Sequence, residues 1–312
     1  MRVVFAGTPA TAVPALQALL HSAHDVIAVV TRPDARVGRG RQLQRSPVGE
    51  VADEVGIPVL TPIHPRDESF ITELSALGPD CCPVVAYGAL IPSPVLAVPR
   101  LGWVNLHFSL LPAGRGAAPV QHAIWHGDDV TGATTFVLDE GMDTGPVLGT
   151  VTETIDRDDT TGTLLARLAE SGAELLLQTL NGLATGQLAA VAQPLDGVST
   201  APKLDPEDAR INFGQPAIGV DRHIRACTPA PGAWTQFRSH RLGLAPILHQ
   251  HDAPPEAVAL GPGELLSTRR AVWVGTATQP VQLSMVQPAG KKMMSAPDWA
   301  RGSRLVAGEA LQ

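Results

Sequence analysis

The stretch MRVVFAGTPATAVPALQALLHSAHDVIAVV, residues 1–30, holds two short apolar runs with a turn and a helical stripe between them. The two runs, residues 3–6 and 26–30, are compact and rich in β-branched side chains, which favours strands. Gly7-Thr8-Pro9 turns the chain after the first run, and apolar residues then recur at helical spacing as far as Leu20. This pattern predicts a strand–helix–strand unit.

The same alternation continues through the first half of the chain. Further apolar segments predict helices at residues 48–55 and 70–77, and strands near Val59, at 84–86 and at 103–107. Pro83 lacks the N–H that a strand ladder uses, so we expect the strand at 84–86 to begin at Val84 rather than at Cys81. Strands that alternate with helices predict an α/β fold with a Rossmann-like, mostly parallel sheet.

The second half of the chain has a different pattern of apolar and turn-forming residues. Leucines at helical spacing predict a long helix over residues 160–182, and residues 191–203 then lose periodicity and contain proline and glycine. A helix at 218–226 and short apolar runs at 234–237, 271–274 and 281–286 predict a small β-rich barrel or sandwich. We therefore expect a sheet domain over residues 1–190, a linker over 191–206 and a β domain over 207–312.

Charge is unevenly distributed along the chain. The formal net charge is −7, yet residues 1–206 carry 12 Lys and Arg against 22 Asp and Glu, whereas residues 207–312 carry 11 against 8. Residues 32–45 hold five arginines and a single acidic residue, Asp34. Charge sorted in this way allows one face to bind a polyanion while the whole molecule stays acidic. The alternative is that these basic residues form an ordinary solvated surface with no partner.

Several classes of protein are disfavoured by what the sequence lacks. No basic leader with an apolar core and no 18-residue apolar stretch is present, so we expect no signal peptide and no membrane partner. Three cysteines without a C-x-x-C pair predict buried thiols in a reducing, cytoplasmic compartment. The absence of G-x-G-x-x-G, Walker, G-x-S-x-G and H-E-x-x-H patterns argues against a dinucleotide, a serine nucleophile and a metal.

The most informative polar residues lie at the end of the strand at 103–107. Asn105 and His107 are two residues apart, so both side chains leave the same face. The carboxyl end of a parallel strand opens into the crevice where such sheets bind ligands. An amide beside an imidazole suits a carbonyl whose oxygen becomes negative during attack, and Asp143 can orient that imidazole or handle a proton.

Three segments around these residues resemble the folate-dependent formyltransferases. They are Ser109-Leu110-Leu111-Pro112, Arg115-Gly116-Ala117-Ala118-Pro119 and the loop that contains Asp143, with Phe5-Ala6-Gly7-Thr8-Pro9 and Val85-Ala86-Tyr87-Gly88 upstream. The resemblance implies that Asn105 and His107 stabilise a tetrahedral oxyanion and that Asp143 holds His107 and assists proton transfer. No nucleophilic side chain is needed, because the acceptor amine itself attacks the formyl carbon.

The resemblance also implies the donor and its pocket. The formyl donor would be 10-formyltetrahydrofolate, with no metal ion. The segments implied to line the pterin and formyl pocket are Val85, Ala86, Tyr87, Gly88 and Ala89; Ser109, Leu110, Leu111 and Pro112; and Val137, Leu138, Asp139, Glu140 and Gly141.

Three features resemble the family members that formylate initiator methionyl-tRNA. They are the arginine-rich segment, the stretch from Ala201 to Ile211, and Gln287-Pro288-Ala289-Gly290-Lys291-Lys292-Met293-Met294-Ser295. The likeness implies tRNA contacts by Arg36, Arg39, Arg41, Arg115, Lys203, Lys291 and Lys292, and an OB-like barrel at residues 207–312 that binds tRNA. We expect the chain to act as a monomer.

Two alternatives remain open from the sequence. The same chemistry could serve an amino-sugar nucleotide or a purine precursor, or the chain could be a tRNA-binding module without activity. Ala113 and Gly114 also depart from the family, which usually has bulky or basic residues there. This departure implies a more mobile loop or one fewer contact with the acceptor.

Overall fold

The computed structural model describes residues 1–37, 42–249 and 253–312. In chain order the strands are β1 (Arg2–Gly7), β2 (Asp25–Val30), β3 (Ala35–Val37), β4 (Gln42–Gln44), β5 (Val59–Leu60), β6 (Cys82–Val85), β7 (Trp103–His107), β8 (Val130–Val137), β9 (Val147–Thr154), β10 (Trp234–Phe237), β11 (His240–Leu244), β12 (Leu265–Ser267), β13 (Val272–Val274), β14 (Val281–Leu283), β15 (Met285–Pro288) and β16 (Met294–Ser295). The helices are α1 (Val13–Leu20), α2 (Pro47–Glu54), α3 (Glu68–Leu77), α4 (Ser93–Leu96), α5 (Pro119–His126), α6 (Thr161–Ala184), α7 (Ala217–Ala226), α8 (Pro255–Val258) and α9 (Ala296–Ser303).

The chain divides into two compact units. The first comprises Met1–Pro119, Val130–Thr154 and Leu165–Ala201, and the second comprises Val120–Asp129, Ile155–Leu164 and Pro202–Gln312. Each unit therefore draws on more than one segment of the chain.

Among the described residues, seven strands of the first unit form one sheet in the order β5-β2-β1-β6-β7-β8-β9. The first five of these run parallel, whereas β8 pairs antiparallel with both β7 and β9. The predicted mostly parallel sheet is thus confirmed. The chain builds β1, β2 and β5 to one side before it returns for β6 and β7, so the order reverses between β1 and β6. Ligands of open α/β sheets bind at the carboxyl ends of strands beside such a reversal.

A tight turn connects β1 to α1 at that carboxyl edge. A Cβ atom on Gly7 would lie 2.8 Å from Phe5 Cε1 and 3.0 Å from Val85 O, so only glycine lets these segments approach so closely. A single 3₁₀ turn follows, in which Ala12 N donates to Pro9 O at 2.9 Å. The predicted strand–turn–helix order of the first thirty residues is confirmed.

The bounds of β6 correct one expectation. The predicted start at Val84 is wrong, because β6 begins at Cys82 and runs through Pro83. Cys82 N donates to Gly102 O on the β7 side, so the nitrogen of the next residue faces β1. There the pairing is interrupted between Cys81 and Val84. The missing N–H of Pro83 therefore falls in a gap of the ladder.

The second unit contains two antiparallel sheets, with the strand orders β10-β11-β15-β16 and β12-β13-β14. This observation confirms the predicted β-rich character of the C-terminal part. The apolar run predicted at residues 281–286 splits at Ser284, whose hydroxyl donates to Pro246 O. The run therefore supplies strands to both sheets.

Residues far from the C-terminal part in sequence belong to the second unit. Arg225 Nη1 donates to Asp159 O at 2.8 Å, and Thr161 Oγ1 donates to Ala226 O at 2.6 Å. Conversely, Val191 exchanges two backbone hydrogen bonds with Val147 of the first unit. These contacts explain why residues 155–164 group with α7 and why residues 191–201 group with the sheet.

The three cysteines are free and buried. Burial raises the pKa of Cys81 to about 12 and that of Cys227 to about 11, and it also raises the pKa of Cys82 well above its ordinary value. The thiols are therefore small apolar groups at neutral pH. Within the described part of the chain, no helix is long and apolar enough to cross a membrane.

Candidate active site

Asn105 and His107 lie at the carboxyl end of β7. Pairing with β8 places Phe136 opposite Asn105 and Thr134 opposite His107, so these four side chains share one face of the sheet. His107 is buried, whereas Asn105 is half-buried and its amide forms no hydrogen bond with any described residue. The face thus presents a free amide beside a fixed imidazole.

The two ring nitrogens of His107 have different partners. Nε2 lies 2.9 Å from Gly114 O, and because a carbonyl oxygen only accepts, Nε2 carries the proton of that hydrogen bond. Nδ1 lies 3.8 Å from Asp143 Oδ2, with side chains only 8% and 15% exposed, so protonation at Nδ1 creates an ion pair. The ring edge also meets Phe136, with 6.4 Å between ring centroids. The imidazole orientation is therefore fixed on three sides.

Asp143 adopts an uncommon backbone conformation. Its φ of 54° lies in the left-handed region, which costs a residue with a Cβ atom about 1–2 kcal/mol and is least unfavourable for Asp and Asn. Its Oδ2 accepts a hydrogen bond of 2.8 Å from Gly116 N. The carboxylate is thereby directed to His107 and to the loop that follows β7.

Close backbone packing holds that loop. Gly116 has a φ of 125°, and a Cβ atom there would lie 2.6 Å from Ala201 O. Ala118 N donates to the same carbonyl at 3.0 Å, and Ala201 N donates to Arg115 O at 2.7 Å. Only glycine fits at position 116, so close backbone packing explains why a glycine follows Arg115.

Thr134 anchors the segment at residues 109–112. Its hydroxyl donates to Ser109 O at 2.7 Å and accepts from Leu111 N at 3.2 Å, and Thr134 itself is fully buried. Ser109 Oγ donates to Ala113 O at 2.7 Å. Contacts within the first unit therefore fix the segment, and the hydrogen bond from Ser109 extends to Ala113, where the family usually has a bulky or basic residue.

The segment at residues 85–89 begins at the last residue of β6, next to the reversal of strand order. Ala86 and Gly88 have φ values of 47° and 82°, which turn the chain sharply. Tyr87 is buried, its carbonyl accepts from Thr8 Oγ1 at 2.8 Å, and its hydroxyl has no partner with hydrogen-bond geometry among the described residues. Burial raises the pKa of that hydroxyl, and the nearby Arg32 guanidinium offsets part of the rise.

The segment at residues 137–141 is tied to its surroundings by its carboxylates. Asp139 Oδ1 accepts from Gly141 N at 3.0 Å and from Thr144 Oγ1 at 2.7 Å. Glu140 Oε1 accepts from Ser93 Oγ at 2.7 Å, which links this segment to α4. These contacts fix the segment at residues 137–141 at the Asp139 turn and against α4.

One residue of the site gave no sequence signal. Gln193 lies in the stretch predicted as a linker, yet its Nε2 donates to both Asp143 O and Gly145 O at 2.8 Å. Its Oε1 accepts from Arg115 Nη2 at 2.7 Å and from Nε at 3.2 Å. A single glutamine without periodicity or motif could be found only from coordinates. The structure also places the Arg115 guanidinium on Gln193, half-buried.

The basic residues assigned to tRNA lie apart from these contacts. Lys203, Lys291 and Lys292 are exposed, as is Arg36 on β3, which pairs with β4. Arg39 and Arg41 lie outside the described residues. Arg45, by contrast, is bound by both oxygens of Asp53 at 2.8 and 2.9 Å and is 3.5 Å from Asp34, so this arginine has a structural role.

The arrangement is typical of one class of enzyme centre. An amide without a partner in the described part of the chain and an oriented imidazole share one face at the end of β7, and a carboxylate lies 3.8 Å from the imidazole. Groups of these types stabilise oxyanions and move protons in enzymes. Among the described residues, no group of three or more His, Cys, Asp or Glu could hold a metal ion. Such a centre suits acyl transfer to a nucleophile that the acceptor supplies.

The chain belongs to the formyl transferase family. The family's sequence profile, described as formyl transferase, matches residues 1–180, and that of the formyl transferase C-terminal domain matches residues 203–304. The resemblance noted in the sequence is thereby confirmed.

Full-length relatives show which members of the formyl transferase family this chain is similar to. The chain is 61% identical to a methionyl-tRNA formyltransferase of Thermobifida fusca over 99% of this chain and 98% of the relative. It is 60% identical to a methionyl-tRNA formyltransferase of Salinispora tropica over the full length of both. A crystal structure of HypX from Aquifex aeolicus in complex with tetrahydrofolic acid superposes with a TM-score of 0.69 at 19% identity. That match covers 96% of this chain and 47% of HypX, so it shows a shared fold with about half of that protein.

Proposed function

We propose that the chain transfers the formyl group of 10-formyltetrahydrofolate to the amino group of initiator methionyl-tRNA. The lone pair of the amine forms a bond to the formyl carbon, and the bond from that carbon to folate N10 then breaks. The amine loses a proton and N10 gains one, which leaves tetrahydrofolate and formylmethionyl-tRNA. The observation that carries the proposal is the Asn105, His107 and Asp143 centre in a chain with 61% identity over nearly its whole length to a methionyl-tRNA formyltransferase.

In this mechanism, Asn105 and His107 stabilise the tetrahedral intermediate. Asn105 has an amide free to donate, and the Nε2–H of His107 is already fixed in direction by Gly114 O. The formyl oxygen must replace that carbonyl as the acceptor when charge develops on it. Removal of one such donor typically costs about 10²–10³ in rate, so these two groups would supply a large part of the acceleration.

Asp143 would orient His107 and assist the proton transfers. Its Oδ2 is 3.8 Å from His107 Nδ1, on the side of the ring opposite the Nε2 hydrogen bond to Gly114 O. The nearby Gly116 N–H keeps the carboxylate in place. Proton movement between the amine and N10 would pass through this pair or through water held by it.

The donor would bind at the reversal of strand order. We assign the pterin and formyl pocket to residues 85–89, 109–112 and 137–141, which are fixed by Thr8, Thr134 and Ser93 respectively. The buried Tyr87 hydroxyl supports this assignment, because no partner meets its hydrogen-bond geometry among the described residues, and the nearby Arg32 guanidinium offsets only part of the rise in its pKa that burial causes.

The acceptor would bind through exposed basic residues. Arg36, Lys203, Lys291 and Lys292 have no ion-pair partner among the described residues, so they are available for phosphates. Arg39 and Arg41 stay in the proposal on sequence grounds alone. The engagement of Arg115 by Gln193 favours a supporting role for this arginine over a direct phosphate contact.

The proposal also covers the domain boundaries, the cellular compartment and the oligomeric state. We propose a catalytic domain over residues 1–190, a linker over 191–206 and a tRNA-binding domain over 207–312, in an enzyme that acts as a cytoplasmic monomer. Light scattering of the purified chain, with and without tRNA, tests the oligomeric state.

An acceptor comparison tests the proposed function. The chain is mixed with 10-formyltetrahydrofolate and, separately, with methionyl-tRNA, an amino-sugar nucleotide or an amine precursor of purines. We expect formyl transfer to methionyl-tRNA alone, and methionyl-tRNA with an acetylated amine is the matched control. Preferential transfer to the sugar nucleotide would overturn the assignment of the acceptor.

A further inference from the structure

We propose that Gln193 is a positioning residue that holds Asp143 in its reactive orientation. The assignment rests on the function proposed above, because it concerns the same reacting centre. Among the described residues, no hydrogen bond joins Gln193 to His107 or to β7, so it would act on the chemistry through Asp143.

The hydrogen bonds of Gln193 converge on the backbone around Asp143. Nε2 donates to Asp143 O and to Gly145 O, both at 2.8 Å, so one amide group bridges the carbonyls of the 143–144 and 145–146 peptide units. Asp143 has a φ of 54°, a conformation that its surroundings must maintain. The hydrogen bonds from Gln193 to carbonyls on both sides of Thr144 therefore restrain the backbone on the C-terminal side of Asp143.

The orientation of the Gln193 amide follows from its partners. Both carbonyls can only accept, and the Arg115 guanidinium can only donate. Nε2 therefore faces the Asp143 loop and Oε1 faces Arg115, at 2.7 Å from Nη2 and 3.2 Å from Nε. No other assignment of the amide satisfies these contacts, so Gln193 has one defined donor side.

The backbone that carries Gln193 is anchored independently of its side chain. Val191 exchanges backbone hydrogen bonds of 2.7 and 2.8 Å with Val147, and Arg115 N donates to Ser199 O at 3.0 Å. Ser199 Oγ accepts from Gly114 N at 2.9 Å. A change of side chain at position 193 therefore removes the link to Asp143 while the main-chain path from residue 191 to 199 persists.

Three variants separate positioning from general structure. Gln193→Ala removes all four hydrogen bonds. Gln193→Glu keeps the shape and strengthens the contact with Arg115, but it places an acceptor against two carbonyls. We expect both variants to lower kcat by about 10- to 100-fold, since small misplacements of a catalytic group have effects of this size, with little change in the KM for the folate. Leu195→Ala, on the same segment and 94% exposed, is the matched control and should retain full activity.

A double-mutant cycle with Asp143→Asn gives the sharpest test. If Gln193 acts through Asp143, Gln193→Ala should lower the rate of the Asp143→Asn variant by less than about twofold. Gln193→Ala should also change the pH dependence of kcat in the same sense as Asp143→Asn. Losses that multiply in the double variant would overturn the proposal, as would a Gln193→Glu variant with normal kcat.

Hydrogen exchange provides a readout that does not depend on the substrate. In the intact chain, Gln193→Ala should speed amide exchange in residues 141–145, and Leu195→Ala should not. Unchanged exchange would overturn the positioning role even if activity falls. Failure of the unmodified chain to formylate methionyl-tRNA would instead overturn the proposed function, and the exchange result would still decide whether Gln193 holds the Asp143 loop.

Discussion

The proposed reacting centre and the proposed tRNA-binding surface of this protein are built in opposite ways. His107, Asp143 and Gly116 lie within a network of fixed hydrogen bonds, and both ionisable side chains are mostly buried. Lys291 and Lys292 are exposed and have no ion-pair partner among the described residues. In the proposed function, chemistry at the first region depends on atomic position, whereas binding at the second depends on net charge. Variants of the two regions should therefore differ in kind as well as in size.

The largest effect should come from the oxyanion donors. His107→Ala and Asn105→Ala should each lower kcat by about 10²-fold or more, because each removes a hydrogen bond that strengthens only as negative charge develops. Folate binding should weaken far less, which equilibrium titration with 10-formyltetrahydrofolate can measure. A near-normal kcat with a raised KM would contradict the proposed role of these two residues, because they would then bind substrate without stabilising the intermediate.

Asp143→Asn should have the next largest effect. The variant keeps the size of the side chain and an oxygen for Gly116 N, but it removes the negative charge 3.8 Å from His107 Nδ1. We expect lower turnover and an altered pH dependence of kcat, with an unchanged melting temperature. A pH–rate profile identical to that of the unmodified chain, at full activity, would remove Asp143 from the mechanism.

Charge reversals on the surface should have smaller effects that depend on salt. Arg36→Glu and Arg39→Glu should raise the KM for methionyl-tRNA, because phosphate contacts release counterions. The double change Lys291→Glu and Lys292→Glu should flatten the slope of log affinity against log salt by about one to two units. Arg269, an exposed residue outside the proposed contacts, provides a matched reversal control. Salt-independent turnover in all variants would favour an acceptor other than tRNA.

The smallest effect should come from the thiols. Burial that raises the pKa of Cys81 to about 12 and that of Cys227 to about 11 leaves them protonated at pH 8. An ordinary exposed cysteine has a pKa of about 8.5, so it reacts far faster at that pH. Alkylation of the native chain should therefore be slow and leave activity intact, and it should accelerate only on denaturation. Rapid labelling of the native chain with loss of activity would show that at least one of the three cysteines is reactive despite its burial, and would contradict the prediction.

Strong local patterns made much of the fold predictable from the sequence. The apolar runs and the turn at Gly7 predicted β1, α1 and β2, and the two-residue spacing predicted that Asn105 and His107 share a face. Pro83 was misjudged because the rule that excludes proline from strands assumes an unbroken ladder on both sides. At that position, the ladder to β1 has a gap.

Long-range contacts without a local pattern were not predictable. Gln193 lies 50 residues from Asp143 and 78 from Arg115, in a stretch whose lack of periodicity suggested a linker. The bidentate contact between Arg45 and Asp53 was likewise hidden, because the sequence showed only a cluster of arginines. Composition indicated where charge accumulates, but only coordinates separate the paired arginine from the exposed one at position 36.

Single-turnover transfer at saturating methionyl-tRNA tests the separation of chemistry from acceptor binding most directly. Formylmethionyl-tRNA formation is followed in the unmodified chain, in His107→Ala and in the Lys291→Glu, Lys292→Glu double variant, all with saturating 10-formyltetrahydrofolate. We predict that the rate constant falls about 10²-fold in His107→Ala and stays normal in the lysine variant once tRNA saturates it. A lysine variant that remains slow at saturation, or a His107→Ala variant with the normal rate constant, would contradict the account.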